Sequence, residues 1–302
     1  MDLKQIEYFV QVAELGSFTR AASVLRIAQP ALSRQVRTLE VELRQNLLDR
    51  NGRGVTLTDA GKRLLAHGRG ILQQVQRAKL DLEEQRGAPV GRLALGVPPS
   101  VGRMLTAPLV HGFRKQFPRA SLTMVEGLST YVLEWLAQGR IDCAVVYNAA
   151  PSPALNLTPV LDERLFLLGA TDKTKGKARV PSASLRDVAA RELVIPSRPH
   201  AIRMLLETQL AAAGLKPRIG LEIESVPAIL DLVEHGELHA VLTRSALRGR
   251  EKAFVARPIH IAPGRPLNTT LWLATSAQRP RGPLLEQGAA LVQQMLLSLW
   301  KA

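Results

Sequence analysis

The 302-residue sequence holds a single cysteine, Cys143, so no internal disulfide can form. One lone thiol fits a reducing compartment and excludes a cystine-stapled secreted scaffold. No apolar run approaches the roughly 18 residues that a membrane span requires. No secretory leader opens the chain either, because Asp2, Lys4 and Glu7 interrupt its first turns. The expectation is a cytoplasmic protein with no membrane partner. Catalytic signatures are equally scarce. Gly127-Leu128-Ser129-Thr130-Tyr131 begins like a nucleophile elbow but lacks the closing glycine. Gly52-Arg53-Gly54 has no third glycine at a phosphate-cradling spacing. His235, Glu237 and His239 approach a metal-ligand spacing, yet Gly236 falls where a helix gives way to a strand, so the imidazoles do not share a face. Cys143 sits inside an apolar strand run and reads as a small core residue. The sequence therefore predicts no enzyme, no catalytic residue, no metal site and no cofactor.

Acidic residues are missing from one stretch in particular. From Gly16 through Leu39 the chain carries Arg20, Arg26, Arg34 and Arg37 but neither Asp nor Glu. Such a segment approaches phosphates without repulsion. The whole chain has a formal net charge of +14. Residues 1–88 hold 14 Lys/Arg against 10 Asp/Glu, a net of +4, and residues 89–302 hold 26 against 16, a net of +10. The excess is not confined to one end, and a basic C-terminal region is compatible with an anionic ligand.

The first sixty residues read as three short helices and a hairpin. Leu3, Ile6, Phe9, Val10 and Ala13 share one helical face over 3–15, and Gly16 ends the run. Ser17 caps a second helix over 18–25. Pro30 suits the first turn of a third, which runs to about Leu43 with Leu32, Val36, Leu39 and Leu43 turned inward. Asn51-Gly52 between β-prone flanks marks a hairpin. A long helix then runs to about Arg86, with Leu64, Gly68, Ile71, Val75, Ala78 and Leu82 at alternating spacings of four and three. That seam suits pairing with a second copy, or packing on its own domain. Gly87-Ala88-Pro89 reads as a hinge.

From Val90 onward strands alternate with helices: strands at 92–97, 122–126 and 143–147, helices at 102–116 and 129–138. This alternation predicts an α/β sheet of parallel type. The phrase Pro118-Arg119, strand, helix, Gly139-Arg140-Ile141-Asp142 returns as Pro217-Arg218, strand, helix, Gly236-Glu237-Leu238-His239. Two such lobes would enclose a cleft beyond the carboxyl ends of their strands. Asp142 in the first repeat stands where His239 stands in the second, which favours a structural role for that position.

Taken together, residues 3–22, Ala28-Gln29-Pro30-Ala31-Leu32-Ser33-Arg34-Gln35-Val36, Leu39-Glu40 and Thr56-Leu57-Thr58-Asp59-Ala60-Gly61 resemble the LysR-type transcriptional regulators. One departure lies in the wing. The family usually has an aromatic before its wing arginine, and this chain has Leu48, which predicts slightly looser packing there. The resemblance implies an α/β multidomain chain with three parts. These are a winged helix-turn-helix at 1–58, a dimerising linker helix at 59–88, and a periplasmic-binding-protein-like effector domain at 89–302. One lobe of that domain would be 89–162 plus 266–302, the other 163–265. It further implies a homotetramer that binds promoter or operator DNA, answers a small-molecule effector and engages RNA polymerase.

In this motif the third helix presents its leading end to the major groove. Gln29, Ser33 and Arg34, with Pro30 between them, are the candidate base or phosphate contacts, since Gln reads adenine and Arg reads guanine. Arg37 one turn on suits a phosphate, and Arg50 and Arg53 belong to the wing. The cleft candidates begin with Ser100 and Val101 in one strand-to-helix loop and Ser129 and Thr130 in the next. Each loop puts a hydroxyl and orphan N–H groups at a helix N-terminus, where the serines also read as simple caps. Ser197, Arg198 and His200 follow the second lobe's first strand, and the last two would supply charge or hydrogen bonds to a carboxylate or sulfonate. Tyr147, Asn148, Val226 and Thr243 complete the set. Two other readings remain: a constitutive DNA-binding protein without effector control, and a solute-binding protein.

Overall fold

In the computed structural model, residues 1–51, 54–84, 89–171, 181–236 and 238–301 are described. Asp2 sets the start of α1 (Leu3–Leu15). Its carboxylate accepts the Gln5 N–H at 2.8 Å while Gln5 Oε1 accepts the Asp2 N–H at 3.0 Å, a reciprocal capping box. Gly16 ends the helix at φ 61°, in the left-handed region that favours glycine. Ser17 caps α2 (Phe18–Leu25) by accepting the Arg20 N–H at 3.4 Å, as its position predicted. Arg26 closes α2 at φ 54°, and α3 (Gln29–Leu43) follows with Pro30 in its first turn. Ile6, Phe9, Val10, Phe18, Leu32, Val36 and Leu39 meet in one core. One expected core residue sits elsewhere, Leu3, 46% exposed in the first turn of α1, while Leu43 is half-buried and packs against the core from the last turn of α3.

The hairpin pairs β1 (Leu48–Asn51) with β2 (Gly54–Leu57), Leu48 opposite Leu57. Leu48, standing where an aromatic was expected, is buried in the same core. The Val55 N–H donates to Gly16 O at 3.1 Å, which ties the wing to the α1–α2 turn. Next comes α4 (Asp59–Glu84), 26 residues and about 39 Å long at roughly 1.5 Å per residue. Near its start Gly61 permits a close approach, since a Cβ there would lie 2.0 Å from the Leu47 carbonyl oxygen. Further on, a Cβ at Gly68 would lie 3.0 Å from Val10 Cγ2 and 3.1 Å from Ile6 Cγ2. Leu64, Gly68 and Ile71 thus pack on α1, so this half of the predicted seam serves its own domain. Val75 remains half-buried and Ala78 exposed, while the Leu82 side chain and the Gly87-Ala88 part of the hinge lie outside the described residues.

The chain divides into two compact units, Met1–Gly91 with Ala137–Ile141, and Arg92–Leu136 with Asp142–Ala302. In the second, β3 (Gly91–Val97), α5 (Pro99–Gln116), β4 (Ala120–Glu126), α6 (Ser129–Ala137) and β5 (Cys143–Tyr147) form the predicted alternation. Pro99 pre-sets the first turn, so α5 starts three residues before the expected Gly102. Then β6 (Leu155–Ala170) runs for 16 residues. The rest is β7 (Ala183–Ser184), α7 (Leu185–Ala189), β8 (Glu192–Ile195), α8 (Ala201–Ala212), β9 (Arg218–Glu222), α9 (Val226–Glu234) and β10 (Ala240–Thr243). A 3-10 turn at Arg244–Leu247 leads toward β11 (Phe254–Ala262), β12 (Arg265–Pro266), β13 (Asn268–Ser276) and α10 (Pro283–Lys301).

The large sheet is mixed, in the order β12-β11-β6-β13-β5-β3-β4, with β10 also on β6 and β7 on β11. The expected parallel pairing holds for β3 with β5 and for β8 with β9. Antiparallel β6 and β13 lie between, which alternation alone did not foretell. Residues 155–164 of β6 pair with β13, whereas 165–170 pair with β10 and β11. Pro159 is accommodated where the β6–β13 register shifts, between the Leu271–Leu161 and Trp272–Pro159 pairs. Two cores result. One gathers β3, α5, β5, β13 and α10 around Leu95, Leu105, Phe113 and Val292. The other gathers β8, α8, α9 and β10 with the far end of β6 around Leu168, Val194, Leu206 and Val233. Cys143 is fully buried in the first, as expected of a core residue. Asp142 plays the structural part assigned to it, accepting the Ala94 N–H at 2.6 Å on Oδ2.

Candidate functional site

Helix α3 begins at Gln29 behind Ala28, which offers no side-chain cap, and its first turn has no acidic residue. Uncapped N–H groups leave the positive end of the helix dipole open to an anion. Gln29, Pro30 and Arg34 are exposed there and Ser33 is half-buried. Leu32, Val36 and Leu39 on the opposite face hold the helix to its core, which fixes which side faces out. Ser33, Arg34 and Arg37 share a depression of about 530 Å³ with Glu40, Asn46 and Leu48. Arg37 is half engaged, since its guanidinium lies 3.7 Å from Glu40 Oε2. Arg20 donates to the Leu15 carbonyl at 2.5 Å and so finishes α1. The Arg50 backbone lies in β1, while its side chain and the whole of Arg53 lie outside the described residues.

Sequence reasoning passed over the role of Glu40. It is 5% exposed, and Oε1 accepts the backbone N–H groups of Leu47 at 2.9 Å and Leu48 at 3.2 Å. One buried carboxylate therefore joins α3 to the root of the wing. Its signal was an acidic residue among the apolar positions of α3, at helical spacing from Val36.

The cleft candidates fall into three groups. Ser100, Ser129 and Tyr147 are brought together. The Ser129 hydroxyl accepts the Tyr147 N–H at 3.0 Å, and Ser100 hydrogen-bonds the Tyr147 side chain. Neither serine is a cap, because α5 starts at Pro99 and α6 at Ser129 itself. Tyr147 is buried, and its hydroxyl donates to Glu163 Oε2 at 3.0 Å. Burial first, and then the Glu163 carboxylate, holds the Tyr147 hydroxyl well above its ordinary value, so it stays a protonated donor. Thr130 is exposed one residue on. Asn148, at φ 50°, exchanges hydrogen bonds with Thr270: its N–H donates to Thr270 O at 2.9 Å and its Oδ1 accepts the Thr270 N–H at 3.0 Å.

The second group sits around the Ser197 turn and corrects the expected charge. Arg198 is exposed but ion-paired to Glu207 at 2.9 Å. His200 caps α8, its Nδ1 accepting the Ile202 N–H at 3.3 Å, and burial lowers its pKa to about 4. It is neutral at pH 7. Of the charge or hydrogen bonds expected from these two residues, the charge of Arg198 is paired and His200 carries none, while Ser197 stays half-buried beside them. Buried Arg203 stabilises the turn from behind, bonding Pro196 O at 3.1 Å and pairing with Glu207 at 2.6 Å and Glu222 at 3.0 Å.

The third group belongs to the cores. Val101 is fully buried and its N–H is bonded to Pro98 O, so it does not line a cleft. Thr243 is 2% exposed with its hydroxyl paired to Ser245 at 2.8 Å. Val226, half-buried, packs on the second core. Among the metal-like trio, His235 Nδ1 lies 2.6 Å from Asp231 O, the His239 ring lies over Gly169, and Glu237 is outside the described residues.

Comparison with known proteins agrees with this arrangement. Residues 3–62 match the bacterial regulatory helix-turn-helix protein family of lysR type, and residues 86–296 match the LysR substrate binding domain. The chain is 34% identical over 300 residues to the nitrogen assimilation regulatory protein nac of Escherichia coli, covering 99% of this chain and 95% of that one. Among solved structures, full-length CbnR complexed with its target DNA is similar with a TM-score of 0.69 at 24% identity, over 98% of this chain and 100% of that one. A full-length OxyR from Pseudomonas aeruginosa reaches 0.73 at 22% identity, over 98% of both chains. The relatives matched are transcriptional regulators, not enzymes.

Proposed function

The chain belongs to the LysR family of transcriptional regulators, and from that premise we propose that it reads a promoter or operator through α3 and adjusts its grip when a small organic ligand enters the cleft. The division that follows is a winged helix-turn-helix at 1–58, a pairing helix at 59–88, and an effector domain at 89–302 whose lobe 163–265 is inserted into 89–162 plus 266–302. The protein acts in the cytoplasm as a homotetramer, and RNA polymerase is a further partner.

The observation that carries this reading is the open N-terminus of α3, with exposed Gln29 and Arg34 and no acidic residue in its first turn. Arg34→Ala should weaken operator binding by more than about 1 kcal/mol without changing the circular dichroism spectrum. Unaltered operator affinity in a titration at fixed salt removes Arg34 from the reading surface.

The cleft ligand is proposed as an organic carboxylate or sulfonate. With Arg198 paired and His200 neutral, its support is the α5 and α6 N-termini with the Ser129 hydroxyl, and the basic domain around them. Specific contacts favour a second reading, constitutive DNA binding: the Arg198–Glu207 pair, the His200 cap and the Tyr147–Glu163 bond all satisfy the cleft from within. Equilibrium binding of a panel of small organic acids, followed by footprinting with any hit, separates the two. A footprint indifferent to every acid favours the constitutive reading.

A further inference from the structure

A cavity of about 370 Å³ opens beside the middle of β6, and none of its lining residues belongs to the cleft set named above. One wall is apolar, built from Met104, Phe166, Leu299 and Trp300. The Trp300 Nε1–H is buried there with no acceptor among the described residues. Glu163 also lines the cavity while only 7% exposed. Its Oε2 accepts the Tyr147 hydroxyl, and its Oε1 has no hydrogen-bond partner among the described residues.

Arg164, Arg244 and Arg248 stand around the same space, all three exposed. Their side chains make no hydrogen bond or ion pair among the described residues. The other two lining carboxylates, unlike Glu163, are exposed to solvent. Asp162 accepts the Thr270 hydroxyl at 2.6 Å, and Glu251 accepts the Gly249 N–H at 3.0 Å within electrostatic reach of Arg244 and Arg248. Charge is therefore ordered by depth, a buried carboxylate inside and exposed guanidinium groups outside.

A simple carboxylic acid entering this space meets Glu163 with like charge, and a simple amine meets three guanidinium groups. A zwitterion satisfies both. We propose that the cavity is a ligand site for an α-amino acid with an apolar or aromatic side chain. The ammonium donates to Glu163 Oε1, the carboxylate faces Arg164, Arg244 and Arg248, and the side chain lies on the Met104–Phe166–Trp300 wall. Charge-assisted hydrogen bonds of both signs give such a site its selectivity. Through Glu163 and Tyr147 the occupant is linked by hydrogen bonds to Ser100 and Ser129.

The test uses the full chain and does not depend on DNA binding. Each apolar and aromatic amino acid is titrated calorimetrically at neutral pH, alongside hydrocinnamate and phenethylamine, which are phenylalanine without its amine and without its carboxylate. At least one amino acid should bind saturably, with hydrocinnamate and phenethylamine each about tenfold weaker or more than phenylalanine. Glu163→Gln should weaken the amino acid and leave hydrocinnamate unchanged. Arg248→Ala, on the surface and without consequence for folding, should weaken both carboxylate-bearing compounds and leave phenethylamine unchanged. Hydrocinnamate binding as tightly as phenylalanine, no saturable binding by any amino acid, or full binding to the Arg248 variant overturns the proposal. Operator affinity of the unliganded variants should match the parent, which separates failure of this site from failure of the DNA reading.

Discussion

Glu40 shows what a single side chain contributes to the joint between α3 and the wing. Its carboxylate is desolvated, and two backbone N–H groups at the root of the wing depend on it. Removing it leaves both donors buried and unpaired, a cost of about 3 kcal/mol. Glu40→Ala should therefore lower the earliest transition in a calorimetric melt, while Glu40→Gln, which keeps an acceptor oxygen, should cost less. Equal melts for Ala and Gln would mean that the two N–H groups find other partners. The same scale shows where the sequence misled. Arg198 was read as a source of charge or hydrogen bonds, and Glu207 on α8 pairs with it. His200 looked like a donor of charge, but the first turn of α8 uses its ring as a cap. Glu163 was overlooked because its partner Tyr147 lies on another strand, and strand pairing is not written in local spacing.

At the level of elements, periodicity was legible wherever one face of a segment is buried. Helix α3 keeps its apolar residues three and four apart and spans Gln29–Leu43 as read, and β5 is a short apolar run bounded as read, Cys143–Tyr147. The long strand β6 was not. It carries Pro159 and the charged run Asp162-Glu163-Arg164 in its middle, where the strand changes partners and its burial alternation breaks. The cap of α8 leads to a pH prediction. The folded His200 value of about 4 lies below the ordinary 6.5, so the unfolded chain takes up a proton first as the pH falls. The contribution to stability is complete above pH 6.5 and is lost as the pH drops toward 4, by at most about 3 kcal/mol. His200→Asn keeps a capping acceptor and should flatten that part of the stability–pH curve measured by urea unfolding. An unchanged slope would place the titration elsewhere.

For the molecule as a whole, the proposed pairing of copies falls on α4. Its first half is spent on α1, as Gly68 against Val10 and Ile6 shows, which leaves Val75 and Ala78 on the open stretch beyond. Among the described residues, Val75 is in none of the three hydrophobic cores. Val75→Asp should accordingly leave the fold intact and shift the mass distribution in sedimentation velocity toward smaller species, with weaker operator binding. A mass identical to the parent's would place the pairing surface off this helix. The two-lobed plan was readable from the repeat around Gly139 and Gly236, because each lobe reuses the same helix-to-strand turn. What joins the lobes was not readable, since neither crossing has a counterpart in the repeat.

That joint has a mechanical consequence. One unbroken ribbon, β6, is bonded on its first ten residues to β13 and on its last six to β10 and β11. A loop would swing freely, but a laddered ribbon resists and returns, in the manner of a leaf spring. Small rotations of one lobe should therefore load the ladder where the strand changes partners, at Arg164 and Leu165.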